Sequence, residues 1–175
     1  MRMRYSRQVV FEKIGHEGQE KIGKANVTIL GLGAIGSKSA ELLTRAGIGS
    51  LILIDRDIVE ESNLQRQSLF TEQDLNNPKV LVAKSHLEKI NSNTKIKSYF
   101  KDINHRNIEE YIKPSLVLDC TDNMQTRFLL NEFCFKNDIS WIYSAIIEST
   151  GMLFNIVPKK TPCLTCIFNE IDQPL

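Results

Sequence analysis

No apolar run in this sequence approaches the roughly 18 consecutive residues that cross a bilayer as a helix, so a membrane-embedded protein is not expected. The opening stretch, MRMRYSRQVVFEKIG, lacks the apolar block of a signal peptide, and a cytoplasmic location is the expectation. An excess of one charge is missing as well. Lys and Arg number 22 against 21 Asp and Glu, a formal net charge of +1, which gives no overall field favouring nucleic acid or an anionic membrane. Any phosphate chemistry has to be local. Repeats, low-complexity segments and linker-like stretches are absent, and cysteine is sparse: Cys120, Cys134, Cys163 and Cys166, of which only the last two lie close together. In a reducing compartment such a pair suggests metal or redox chemistry more than a structural disulfide.

What is present is the composition of one soluble globular domain spanning residues 1–175, with 42% hydrophobic and 25% charged residues. NVTIL (26–30) reads as a short strand, followed at once by GLGAIG and a helical pattern with Ile35, Ser39, Leu42, Leu43 and Ala46 on one face, closed by Gly47. SLILID (50–55) is a nearly continuous apolar run, as expected of a strand covered on both faces. Asn77 and Pro78 read as the N-cap and first position of a helix carrying Val80, Ala83, Leu87 and Ile90. KIKSYF (95–100) and SLVLDC (115–120) are further strand candidates, separated by a short helix over 107–113 that ends before Pro114. A helix from Met124 to about Lys136 carries the stripe Thr126, Leu129, Leu130, Phe133 and Cys134, and SWIYSAI and GMLFNIV complete the strands. Alternating strands and helices predict a doubly wound, Rossmann-like α/β domain, mostly parallel with antiparallel strands toward the C-terminus. Its ligand belongs at the carboxyl ends of the strands.

The unusual residues cluster at those ends. GLGAIG places Gly31, Gly33 and Gly36 where a nucleotide site needs a tight turn, close backbone approach to phosphate and close helix packing. Asp55 ends the second strand, where an acid accepts hydrogen bonds from ribose hydroxyls; a nicotinamide cofactor fits these features as well as ATP does. Asp57 is either solvated or in contact with the nucleotide or its metal. The loop SNLQRQ (62–67) is what a dehydrogenase does not explain. Arg66 offers a fork of donors suited to phosphate, and Asn63 and Gln67 offer neutral donors and acceptors. A lysine at 79, in the first turn of a helix, is unfavourable against the positive helix end unless an anion is shared between them. In DCTDN (119–123), Asp122 is a candidate Mg²⁺ ligand, Asn123 a candidate helix cap, and Arg127 a brace for that loop. Cys120 and Cys134 read as core residues.

In order along the chain, RYSRQ (4–8), GLGAIG, DRDIVEESNLQRQ, Pro78-Lys79, DCTDN and PCLTC (162–166) resemble the MoeB/ThiF/HesA family of adenylating enzymes related to ubiquitin-activating enzymes. The resemblance implies ATP- and Mg²⁺-dependent adenylation of the C-terminal glycine of a ubiquitin-like sulfur-carrier protein ending in Gly-Gly. It implies further that Ala34 contacts ATP through its backbone and that Asp55 binds ribose. Asn63, Arg66, Gln67 and Lys79 would contact phosphates, Asp122 would bind Mg²⁺, and Arg7 would reach into the site of a second copy in a homodimer. Arg7, Arg66, Lys79 and Asp122 are thus the expected catalytic set.

The pattern departs in one place. Cys163 and Cys166 resemble one half of the family's four-thiolate Zn²⁺ site, and no second Cys-x-x-Cys pair occurs before Leu175, so the chain is expected to lack the C-terminal part of the family domain. Zinc and a metal-free thiol pair both stay open. So do two further functions: a regulatory nucleotide-binding subunit acting beside a full-length partner, and a nicotinamide-dependent oxidoreductase, which SNLQRQ and DCTDN disfavour.

Overall fold

A computed structural model describes residues 3–113 and 115–168; Pro114, expected to stop the helix before it, falls outside them. Within those residues six strands form one sheet: β1 (Asn26–Leu30), β2 (Ser50–Asp55), β3 (Lys95–Phe100), β4 (Leu116–Asp119), β5 (Trp141–Ile147) and β6 (Thr150–Ile156). Their spatial order is β3-β2-β1-β4-β5-β6, parallel throughout except for the antiparallel β5–β6 pair. The seven helices are α1 (Ser6–Val9), α2 (Gly15–Lys24), α3 (Ala34–Ala46), α4 (Lys79–Ile90), α5 (Ile108–Tyr111), α6 (Met124–Lys136) and α7 (Leu164–Ile167).

Period-two alternation in the strands decides which helices cover which face. Val27, Ile29, Leu51 and Leu53 point to a core closed by Ala40, Val80, Ala83 and Leu87 from α3 and α4. Leu30, Ile54 and Val117 point to the opposite core, closed by Ile108, Leu130 and Cys134 from α5 and α6. Each fully buried Leu or Ile contributes roughly 1.5–3 kcal/mol relative to an exposed one, so both layers are needed to hold the sheet. The order in which the chain adds strands reverses between the parallel neighbours β1 and β4, and such a switch point is where α/β sheets bind ligands at their carboxyl ends.

Two local expectations are corrected. The face of α3 turned to the sheet carries Gly36, Ser37, Ala40 and Thr44, while Leu42, expected inside, is 56% exposed. α3 starts so close to the strand ends that only small side chains fit against them. At the next helix, Asn77 does not act as an N-cap: its amide donates to the carbonyls of Asp74 and Leu75, both at 3.2 Å. Pro78 has an extended ψ of 125° and forms an isolated bridge with Ile58, so α4 begins one residue later, at Lys79.

Candidate functional site

The turn after β1 is built by contacts that exclude side chains. Gly31 has φ +89°, and a Cβ there would lie 2.7 Å from the Cys120 carbonyl oxygen; a Cβ on Gly36 would lie 1.9 Å from the oxygen of Gly31. Gly33 differs. Nothing lies nearer than 4.0 Å to its ideal Cβ, where the Gln67 amide nitrogen sits, so space is left open in front of the α3 N-terminus. That end presents backbone N–H groups to the space.

Asp55 closes β2 and is only 8% exposed. One carboxylate oxygen accepts the Leu32 N–H and the other the Asp57 N–H at 2.7 Å, which fixes the carboxylate across the glycine turn. Burial raises its pKa above the ordinary carboxylate value, with the two backbone donors acting in the opposite direction.

The loop after β2 folds back into the cleft because the Val59 N–H donates to the Asn77 carbonyl at 2.9 Å and the Lys79 N–H donates to the Asp57 carbonyl at 3.0 Å. Lys79 is thereby carried inward, 4% exposed, with Nζ 3.2 Å from Asp57 Oδ2. A single helical turn, closed by the Gln67 N–H on the Asn63 carbonyl at 2.9 Å, sets Asn63 and Gln67 on one side. Both are buried, yet Asn63 Oδ1 and Gln67 Oε1 have no hydrogen-bond partner among the described residues. A buried polar atom left so costs about 1–3 kcal/mol, and as acceptors both oxygens call for a donor. Arg66, between them, is exposed and spends one guanidinium nitrogen on the Ser62 carbonyl at 3.0 Å, leaving others toward the cleft.

Beyond β4, the Thr121 N–H and hydroxyl both donate to Asp119 Oδ1, at 3.0 and 2.7 Å, turning the chain so that Asp122 is exposed at the cleft wall. Asn123 caps α6, accepting the Thr126 N–H at 2.9 Å, as expected. Arg127 donates to the Thr121 carbonyl, bracing this loop, and lies 3.6 Å from Asp119. Burial lifts the Asp119 carboxyl to about 6.

These elements enclose one cleft of about 1310 Å³ along the strand ends. It brings together Gly31, Gly33, Ala34, Asp55, Asp57, Asn63, Arg66, Gln67, Lys79, Asp122 and Asn123. Gly36 packs beneath it. Arg7 does not line it: α1 lies at the far end of α3, where the Tyr5 ring packs on Gly47 and its hydroxyl accepts from the Asn91 amide at 2.9 Å. Cys163 and Cys166 also lie elsewhere, with their sulfurs 3.3 Å apart. Among the described residues no group of three His, Cys, Asp or Glu side chains could hold a metal, and the thiol pair stands as two of the four ligands a structural Zn²⁺ site takes. Burial pushes the Cys120 and Cys134 thiols up to about 12; Cys134 is a core residue as expected, whereas Cys120 is half-buried and lines the cleft.

Three features of the site were not read from the sequence. One is the Asp119–Arg127 pair. Another is an ion pair between Arg56 and Asp102 at 3.1 Å, at the mouth of the cleft by the ends of β2 and β3. The third is an apolar end made by Phe128, Tyr143, Ala145, Ile147, Met152 and Phe168. The last shows in the structure at the end of β5, where Ile146 and Ile147 are more than half exposed.

The order of the strands and the cleft at their carboxyl ends place the chain among the Rossmann-like α/β domains. Within that class it belongs to the ThiF family, whose profile matches residues 5–174. The sulfur carrier protein ThiS adenylyltransferase of Bacillus subtilis (strain 168) is 43% identical over 171 residues, covering 96% of this chain and 51% of that protein. The SAMP-activating enzyme E1 of Haloferax volcanii is 33% identical, covering 98% of this chain and 63% of that protein. A crystal structure of E. coli MccB with ATP superposes with a TM-score of 0.89 at 30% identity, covering 98% of this chain and 53% of the other. The chain thus spans about half to two thirds of the length of these relatives. Among the described residues no helix is long and apolar enough to cross a membrane.

Proposed function

We propose that this chain carries an ATP site used to adenylate the C-terminal carboxylate of a ubiquitin-like sulfur-carrier protein ending in Gly-Gly. The observation that carries the proposal is the gathering of donors around a space kept open at Gly33: the Gln67 amide nitrogen, Arg66, the buried Lys79 and the N-terminus of α3 all line the same cleft. Donors of this kind fit the acceptor oxygens of a triphosphate, while the unpartnered amide oxygens of Asn63 and Gln67 call for a donor such as a ribose hydroxyl or a bound water. Relatives that adenylate sulfur-carrier proteins, and a neighbour crystallised with ATP, support the same assignment.

In the proposed reaction a carboxylate oxygen attacks the α-phosphorus, an acyl–phosphate bond forms, and the bond to pyrophosphate breaks. No general base is required, since a C-terminal carboxylate is already ionised at neutral pH. The barrier is then lowered by positioning and by neutralising negative charge. Asp55 orients the ribose from a carboxylate locked by two backbone N–H groups. Arg66 and Lys79 bind phosphate oxygens, and the α3 N-terminus adds its N–H groups. Asp122, with Asp57 across the cleft, fits Mg²⁺ of the kind held by one or two carboxylates and completed by phosphate and water; bound there, it would neutralise charge on the leaving pyrophosphate. The apolar end suits an extended, uncharged peptide tail. Arg7, remote from its own cleft, would serve the site of a second copy, making the active unit a homodimer.

ATP–pyrophosphate exchange tests the proposal. Exchange that depends on a Gly-Gly-ended carrier and falls at least 100-fold in Arg66→Ala and Asp122→Ala is expected. ATP binding without exchange would replace the enzyme by a regulatory nucleotide-binding subunit. Binding of NAD without ATP would discard both.

A further inference from the structure

Arg127 is the one buried cation on α6, and its guanidinium spans three elements. Nη2 donates to the carbonyl of Thr121, the residue before Asp122. Nε faces Asp119 Oδ2 at 3.6 Å, and neither atom has a hydrogen bond of its own. The remaining edge reaches the Tyr143 hydroxyl at 3.4 Å, with the guanidinium carbon 4.9 Å from the Tyr143 ring centroid. Asp119 in turn holds the Thr121 N–H and hydroxyl. The Thr121 peptide is therefore gripped from both sides: its N–H by Asp119, its C=O by Arg127.

That grip decides where the next side chain points. Fixing both polar ends of residue 121 leaves little freedom for the backbone entering Asp122, while Asn123 is fixed by its cap on α6. Asp122, the exposed member of the run, is clamped on both flanks. We propose that Arg127 is a positioning residue for Asp122, holding the 121–123 turn in the geometry that presents the carboxylate to the cleft. The functional part of this inference rests on the reading of Asp122 as a group serving the phosphate end; the structural part does not.

A lysine at 127 keeps the charge and reaches either Asp119 or the Thr121 carbonyl, but has no fork to reach both. Hydrogen exchange on the ligand-free chain tests the clamp directly. Arg127→Ala is expected to speed exchange of the Thr121 amide, which is hydrogen-bonded to Asp119, at least 10-fold beyond any change at β1, with Arg127→Lys in between. Asn131→Ala serves as a control: it removes a buried amide one turn along α6 that accepts the Leu164 N–H at 2.9 Å, and should leave the Thr121 amide unchanged relative to β1. In pyrophosphate exchange the Arg127 variants should raise the Mg²⁺ concentration needed for half-maximal rate at least 10-fold, while binding of metal-free ATP stays within 3-fold. Equal acceleration of all amides, or an unaltered turn, would overturn the proposal. If Arg127→Ala fails to fold, the lysine variant decides by the same two readouts. Failure of the wild-type chain to bind ATP would sink the functional reading alone, since the exchange pattern needs no ligand.

Discussion

At the scale of single residues, Asp119 and Lys79 carry the most consequence. Asp119 is fully buried, and its carboxyl is lifted from 3.8 to about 6, burial being the main cause. A carboxyl raised in the folded state favours folding when protonated, and that advantage is lost as pH rises through the folded value. The shift is worth about 3 kcal/mol in full, of which roughly 1 kcal/mol falls between pH 5 and pH 7. Urea unfolding of the wild type and Asp119→Asn at both pH values should show it: the wild type loses that amount against the variant on going to pH 7. A constant difference would refute the burial of a titrating carboxyl. Lys79→Met keeps the length and the buried stem but removes the cation beside Asp57, and should depress pyrophosphate exchange at least 100-fold, in line with loss of one charge stabilising the transition state. Thermal unfolding should confirm a folded variant. Lys79 was legible in the sequence because a lysine in a first helical turn is electrostatically misplaced. The partner pair Asp119 and Arg127 was not: nothing local in DCTDN says which acid turns inward, and only the pleat of β4 decides it.

At the scale of elements, the glycine turn offers two substitutions with opposite expectations. A Cβ on Gly36 would lie 1.9 Å from a backbone oxygen, so Gly36→Ala must push α3 away from β1 and should cost upward of about 3 kcal/mol, read by denaturant unfolding. Gly33→Ala meets nothing within 4.0 Å except the Gln67 amide nitrogen at that limit and should fold nearly as well as the wild type. It places a methyl in the space assigned to phosphate, however, and should weaken ATP binding at least 10-fold by calorimetry. Equal stability of the two variants would contradict the turn described. Strand positions were legible almost to the residue, because buried parallel strands are short apolar runs with clear ends. Helix faces were less so. In α3 the rule that large apolar residues face inward failed at Leu42, since the distance between helix and sheet was set by the glycines before it and not by the stripe itself. Asn77 misled in a similar way: its side chain closes the preceding turn instead of opening α4.

At the scale of the whole molecule, the strand order and the cleft were both foreseeable, because alternation of strand and helix leaves few right-handed solutions and fixes the ligand edge. What sequence order could not convey is how distant segments meet at the opposite edge. There the N-terminal residues lie across the ends of two helices: Arg4 donates to the Ile90 carbonyl at 2.8 Å, and Gln8 and Gln19 donate to the Ala46 carbonyl at 3.2 and 3.0 Å. With Tyr5 against Gly47 and bonded to Asn91, these contacts satisfy carbonyls that would otherwise end α3 and α4 unpaired. The clamp has a kinetic meaning. It joins residues 86 positions apart, so it can close only after the sheet and both helices have formed, and it should be missing from the folding transition state. Removing residues 1–9 should then leave the refolding rate within about 2-fold while unfolding quickens by about 10-fold or more, as stopped-flow chevrons would show. The RYSRQ segment acts in this sense as a latch: it sets how long the folded molecule lasts, not how fast it is made.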